Sequence, residues 1–210
     1  MPEPEASPAL RRPASEEPRT ARTRESLEAG LLALLRDHDL ADISVSALCK
    51  QAGVHRTTFY GHHRNIYELA ACVYAGVVDR LGTVDVLDQR GTGKTVAEIS
   101  TLYVDAVRLI LQHTREEERV YRALFHTGTF TGVLADNLAR RFLLSLYVWQ
   151  GYSLVPPVDP EVIAAFLGGA YASWIEQWVL REDDDVEAWL ASLVHLLPDW
   201  WPREGFPAAA

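Results

Sequence analysis

Apolar residues recur at spacings of three and four along most of the chain, the period of a helix with one buried face. Leu27, Leu31, Leu34 and Leu35 predict a first helix from Thr20 to about Asp37, ended by His38-Asp39-Leu40. Val45, Leu48 and Cys49 mark a short second helix, and a third runs from about His55 to Gly61. Tyr67, Ala71, Tyr74 and Val78 line a fourth, Asn65 to Leu81, which joins the N-terminal third to everything downstream. Ile99, Tyr103, Ala106, Val107 and Ile110 predict a fifth from Thr95 to about His113, and a sixth covers about Glu116 to Phe125. Leu138, Phe142, Leu146 and Trp149 align in a seventh, from about Gly132. Asp159-Pro160 opens the eighth with a cap and a proline in the first turn. The ninth spans about Asp184 to Leu197, with the acidic run Asp183–Asp185 at its start, where the helix dipole favours negative charge. The prediction is an all-α chain of about nine helices, with no segment repeating at a fixed period.

The second and third helices break the amphipathic pattern in an informative way. Ser44 can cap the second helix. Gly53 falls one residue past it, where a positive φ is usually needed, and Val54 can plug the gap between the two helices. The third helix has a single apolar anchor, Phe59, among Arg56, Thr57, Thr58, Tyr60 and His62. Such a helix displays its side chains rather than burying them. Two short helices joined by a tight turn, the second one polar, describe a helix-turn-helix whose second helix enters the major groove. The chemistry suits DNA: Arg bonds guanine O6 and N7, Thr reaches a thymine methyl or a phosphate, and Tyr and His donate to phosphate. Candidate DNA-binding residues are Ser44, His55, Arg56, Thr57, Thr58, Tyr60, His62 and Arg64. A generic helical hairpin with a solvated polar face is the other reading of the same pattern.

The eighth helix is apolar on more than one side, with Ile163, Leu167, Ala170, Trp174 and Trp178 on one and Phe166, Gly169, Ala172, Ser173 and Ile175 on others. A helix apolar most of the way round is buried on both sides. One side can meet the chain's own core and the other a second copy, so Phe166, Gly169 and Ser173, with Trp189 and Leu193 of the ninth helix, are candidate dimer-interface residues. In the middle of the chain Tyr103, Val107, Tyr121, Phe125, Phe142, Trp149, Tyr171 and Trp174 either line a cavity or form a packed aromatic core.

Composition changes this picture little. The chain is 48% hydrophobic and 23% charged, as in ordinary globular proteins. A net charge of −9 argues against a nucleic-acid partner until its distribution is seen. Arg19, Arg22, Arg24, Lys50, Arg56 and Arg64 lie near the reading head, while the acids gather in Glu116–Glu118 and Glu182–Asp185. Cys49 and Cys72 occupy apolar-stripe positions and read as small core residues. GTGKT at Gly91–Thr95 imitates a phosphate-binding loop, but Asp88 stands where the first glycine belongs, and Thr92 or Thr95 reads better as a helix cap. His113 and His126 are too few to hold a metal. No run approaches a membrane span and no signal-peptide pattern follows Met1, so the expectation is a cytoplasmic protein. Residues 1–19 read as a disordered tail, whose Arg11 and Arg12 can reach a minor groove. Residues 20–66 read as the DNA-binding domain, 67–200 as a second helical domain and 201–210 as a flexible tail.

AGVHRTTFYGHHRNIYEL resembles the recognition helix and following turn of the TetR (tetracycline-repressor-like) family, AGVSRxTFYxHFxxKxxL. Ala52, Gly53, Val54, Arg56, Thr58, Phe59, Tyr60, His62 and Leu69 match in place. ISVSALCKQ resembles the lead-in ITVxxIAxxAGV, and the likeness covers about fifty residues from Thr20. Gln112–Leu124 (QHTREEERVYRAL) more weakly resembles the C-terminal domains of one branch of the family. The departures are His55 for Ser, His63 for Phe and Ile66 for Lys. The resemblance implies a homodimeric repressor with no enzymatic step and no cofactor. It would bind a near-palindromic stretch of double-stranded DNA, pair through its last two helices, and take in its aromatic cavity a small-molecule effector that spreads the reading heads. Two other readings remain open: a helix-turn-helix binder without an effector, and, further off, a helical enzyme using the C-terminal cavity.

Overall fold

Nine α-helices and one 3₁₀ turn account for the regular structure of the described residues, and no strand occurs among them. The computed structural model describes residues 18–82, 94–182 and 184–207. The expectations for the first seventeen residues, for Arg11 and Arg12, for Asp88 and Gly91–Gly93 of the phosphate-loop look-alike, for Thr92 and for Asp183 lie outside these. The helices are α1 (Pro18–Leu35), α2 (Val45–Ala52), α3 (Arg56–His62), α4 (Ile66–Leu81), α5 (Val96–Glu116), α6 (Glu118–Phe125), α7 (Phe130–Gly151), α8 (Pro160–Leu180) and α9 (Val186–Leu196). The turn, Leu40–Asp42, fills the gap between α1 and α2.

Leu27 and Leu31 of α1, Leu40 of the turn, Ile43 just after it, Leu48 and Cys49 of α2, and Phe59 of α3 are all buried and form the core of the N-terminal head. Asn65 caps α4, its side-chain oxygen accepting from the Glu68 N–H at 2.8 Å. Beyond the head, Val73, Tyr74 and Val78 carry α4 into the body. Thr95 is the cap of α5: its hydroxyl accepts from the Glu98 N–H at 3.2 Å while the Glu98 carboxylate accepts from the Thr95 N–H at 2.7 Å.

α7 and α8 form the tightest helix pair. A Cβ on Gly168 would lie 2.6 Å from the Ala135 carbonyl and 2.7 Å from the Ala139 nitrogen, so only glycine lets α8 seat so closely on α7. The last carbonyls of α8, which have no partner within the helix, are taken up by two arginines. Arg115 donates to the Trp178 carbonyl at 3.0 Å and stacks 4.2 Å over the Trp178 ring. Arg122 donates to the Leu180 carbonyl at 3.2 Å and to that of Arg181 at 3.1 Å.

Two expectations need correction. Residues 201–207 pack on the body: Trp201 is buried, and the Ser100 hydroxyl donates to the Glu204 carbonyl at 2.7 Å with the Pro202 carbonyl at 3.3 Å. The gain from covering Trp201 and the bonds from α5 outweigh the entropy a terminal segment otherwise keeps. Cys72 is exposed, whereas Cys49 is buried as expected; both are free thiols. Among the described residues no helix is long and apolar enough to cross a membrane, and no three His, Cys, Asp or Glu side chains gather as metal ligands would.

Candidate nucleic-acid interface and ligand cavity

The turn between α2 and α3 is held entirely by local bonds. Ser44, in extended backbone, accepts from the Ala47 N–H at 3.1 Å, so its hydroxyl oxygen is engaged in capping. Gly53 has φ +65°, the left-handed conformation that ends α2, and both its N–H and that of Val54 donate to the Cys49 carbonyl. This reversal points α3 outward. Phe59 is fully buried and is the one buried residue of α3; the Tyr60 ring packs edge-on against it at 5.4 Å. His55, Arg56, Thr57, Tyr60 and His62 are exposed, Tyr60 by 52%, and Thr58 is half-buried. His55 begins α3 without a side-chain cap, the consequence expected where histidine replaces serine.

Arg64 lies in the link to α4, its side chain 89% exposed. Its N–H donates to the Glu68 carboxylate at 2.5 Å and its guanidinium meets the other carboxylate oxygen at 3.4 Å. The backbone N–H is the main cause holding the Glu68 carboxyl below its ordinary range. Ser44, at the head of α2, and Arg64, past the end of α3, are both exposed. His63 does not join them. It is half-buried behind α3, 5.9 Å from the Phe59 ring, and burial holds its imidazole below the usual value.

In the body a cavity of ≈ 50 Å³ opens among α5, α7, α8 and the C-terminal segment. Of the eight aromatic and apolar residues singled out in the sequence, Tyr103, Val107, Phe142 and Tyr171 line it. The other four do not. Tyr121 is fully buried between Tyr74, at 5.0 Å, and Phe130, at 5.9 Å, and Phe125 packs on Phe130 at 4.9 Å. Trp149 lies behind Tyr103 at 5.5 Å, and Trp174 stacks on Trp189 at 5.7 Å. Arg141, Trp201 and Phe206 also line it and were not singled out. Arg141 sits one position before Phe142 on α7, a charged neighbour that an apolar stripe passes over. Burial pushes the Tyr103 phenol up, with Ser145 and the Arg141 charge acting against it.

The candidate interface residues divide in the same way. On α8, Phe166 is 74% exposed, Gly169 is half-buried and Ser173 exposed, a stripe continued by exposed Val162. Leu193 is only 2% exposed and Trp189 is stacked on Trp174, so both face their own core. The large apolar side chain that α9 leaves exposed is Leu196.

A three-helix head that presents one polar helix, set on a six-helix body with an apolar cavity, defines a two-part helix-turn-helix protein. Its all-helical fold is one that solved structures share. RolR in complex with resorcinol matches with a TM-score of 0.61 and 17% identity over 87% of this chain and 90% of that one. The dihydroxyacetone kinase operon activator DhaS matches with a TM-score of 0.52 and 16% identity over 83% and 93%. The fatty acid degradation regulator FadR from Bacillus halodurans matches with a TM-score of 0.50 and 14% identity over 82% and 95%. No protein-family profile and no curated protein matches the sequence.

Proposed function

We propose that the protein is a homodimeric one-component transcriptional regulator, a repressor that binds a near-palindromic operator through α3 and leaves it when a small molecule fills the body cavity. The observation that carries this reading is α3 itself. A seven-residue helix held by one buried ring, with Arg56, Thr57, Tyr60 and His62 exposed around it, is built to meet a surface of base edges and phosphates. Residues 20–66 then act as the DNA-binding domain and residues 67–200 as the effector and dimer domain. Val162, Phe166, Gly169 and Ser173 of α8 supply the face on which a second copy sits. The reading assigns the chain no reaction and no cofactor, and places its work on the chromosome, in the cytoplasm.

Release follows from linkage: an effector that prefers the splayed dimer lowers operator affinity by its differential affinity for the two arrangements. α4 is the element through which the body and head exchange that preference, because its N-terminal half is packed in the head and its C-terminal cap, Gly82, lines the cavity. The test is a mobility shift with the DNA flanking the gene against random DNA of equal length. Arg56→Ala is expected to cost about 1–3 kcal/mol on the flanking DNA and far less on random DNA. Equal weakening on both reduces Arg56 to a phosphate contact, and no preference in the unaltered protein contradicts the reading.

A further inference from the structure

The cavity wall says what kind of molecule it can hold. Its lining residues are apolar apart from the Tyr103 and Tyr171 phenols, the Ser145 hydroxyl, the Trp201 indole and the Arg141 guanidinium. Arg141, the one charged side chain in the lining, is already neutralised by the Asp79 carboxylate at 2.7 Å. A ligand anion would therefore enter a low-dielectric site whose one cation is already paired, at a large desolvation cost. The Ser145 hydroxyl donates to the Arg141 carbonyl at 3.2 Å. The Tyr103 hydroxyl is buried beside Ser145, whose own hydrogen goes to the Arg141 carbonyl, and it completes no hydrogen bond of good geometry among the described residues. A buried donor in that state costs free energy that an acceptor on a ligand would recover.

Size sets a second limit. At ≈ 50 Å³ the cavity is smaller than the roughly 150 Å³ that holds a benzene ring in a protein core, so a ring must displace part of the wall. The wall suited to yield is the C-terminal segment. Phe206 is only half-buried, and this segment is tied to α5 by the hydroxyl of Ser100. A chain compound longer than the cavity would have to displace more of the wall than a compact ring does.

Resting on the effector reading above, we propose that this site takes a compact, uncharged ring compound bearing one hydrogen-bond acceptor, which the Tyr103 hydroxyl recognises and which enters against Trp201 and Phe206. The probes are cyclohexanone, methylcyclohexane, cyclohexanecarboxylate and 2-decanone, which vary acceptor, charge and length in turn. Calorimetry and thermal shift on the full chain are expected to show cyclohexanone binding in the millimolar range or tighter, and the other three at least fivefold weaker. In Tyr103→Phe the ketone is expected to lose about fivefold to tenfold in affinity, the worth of one hydrogen bond, while the ligand-free protein melts no lower than the unaltered chain. Tighter binding of the carboxylate or of 2-decanone overturns the proposal, as does binding of none of the four. Should Tyr103→Phe fail to fold, the ranking of the four probes on the unaltered protein decides alone. Operator release is read separately: cyclohexanone that binds but leaves the DNA complex intact contradicts the release mechanism and leaves the ligand class standing.

Discussion

Arg141 on the cavity wall donates through Nη2 to the Asp79 carboxylate at 2.7 Å, and Asp79 lies within the last turn of α4. The same guanidinium nitrogen donates to the Asp79 main-chain carbonyl. One side chain thus touches both the space an effector would occupy and the helix that enters the N-terminal head. Asp79→Ala is expected to cost about 1–3 kcal/mol of stability, since it removes the carboxylate paired with an Arg141 side chain that is only 16% exposed. Its effect belongs in the coupling. Operator titrations with and without cyclohexanone should show the ratio of affinities fall toward one, from the roughly fivefold or more of an intact coupling. An undiminished ratio would remove Asp79 from the transmission path.

Phe166 stands 74% exposed on α8 with Val162, itself exposed, one turn away. Phe166→Glu should therefore fold as the parent does. Placed at a two-fold interface it would set two carboxylates against each other in an apolar patch, so sedimentation at micromolar concentration is expected to show a monomer where the parent is a dimer. Affinity for a two-half-site operator should fall at least tenfold with it, about 1.4 kcal/mol. A dimer of unchanged stability would move the interface elsewhere.

The N-terminal head was legible because its signals are local. Ser44, Gly53 and Phe59 each act within a few residues of where they stand, as a cap, a left-handed turn and an anchor. The body was legible in its helices and less so in its faces. A stripe of Tyr121 and Phe125 is the same whether it meets a cavity or the rings of Tyr74 and Phe130, and only the tertiary arrangement chose the second. Leu193 turned inward for the same reason, on a helix whose apolar residues cover more than one side. Trp201 and Phe206 were missed because the bond that holds their segment runs from Ser100, more than a hundred residues away. Sequence periodicity carries no trace of such a contact.

His63 occupies a position where the related pattern has phenylalanine, and burial holds its imidazole below the ordinary 6.5, against the opposing pull of Glu68. Arg24, Glu28, His62, Asp136 and Arg140 face the same cleft between head and body. A folded-state value below the unfolded one means that the unfolded chain binds the extra proton first. The stability tied to neutral His63 is fully present above pH ~6.5 and is lost as pH falls through the folded value. His63→Phe should flatten that part of the curve. Urea unfolding between neutral pH and about pH 5 is expected to show the parent losing stability faster than the variant; parallel curves would mean that His63 binds its proton equally well in the folded and unfolded chains.

The central claim is that α3 of each of two paired chains occupies a major groove. Footprinting on the DNA flanking the gene tests it most directly. The expected pattern is two protected half-sites on one face of the duplex, their centres about 34–36 Å or a multiple of one helical turn apart, lost together in Phe166→Glu. Protection of a single unpaired segment, or none at low salt, would contradict it.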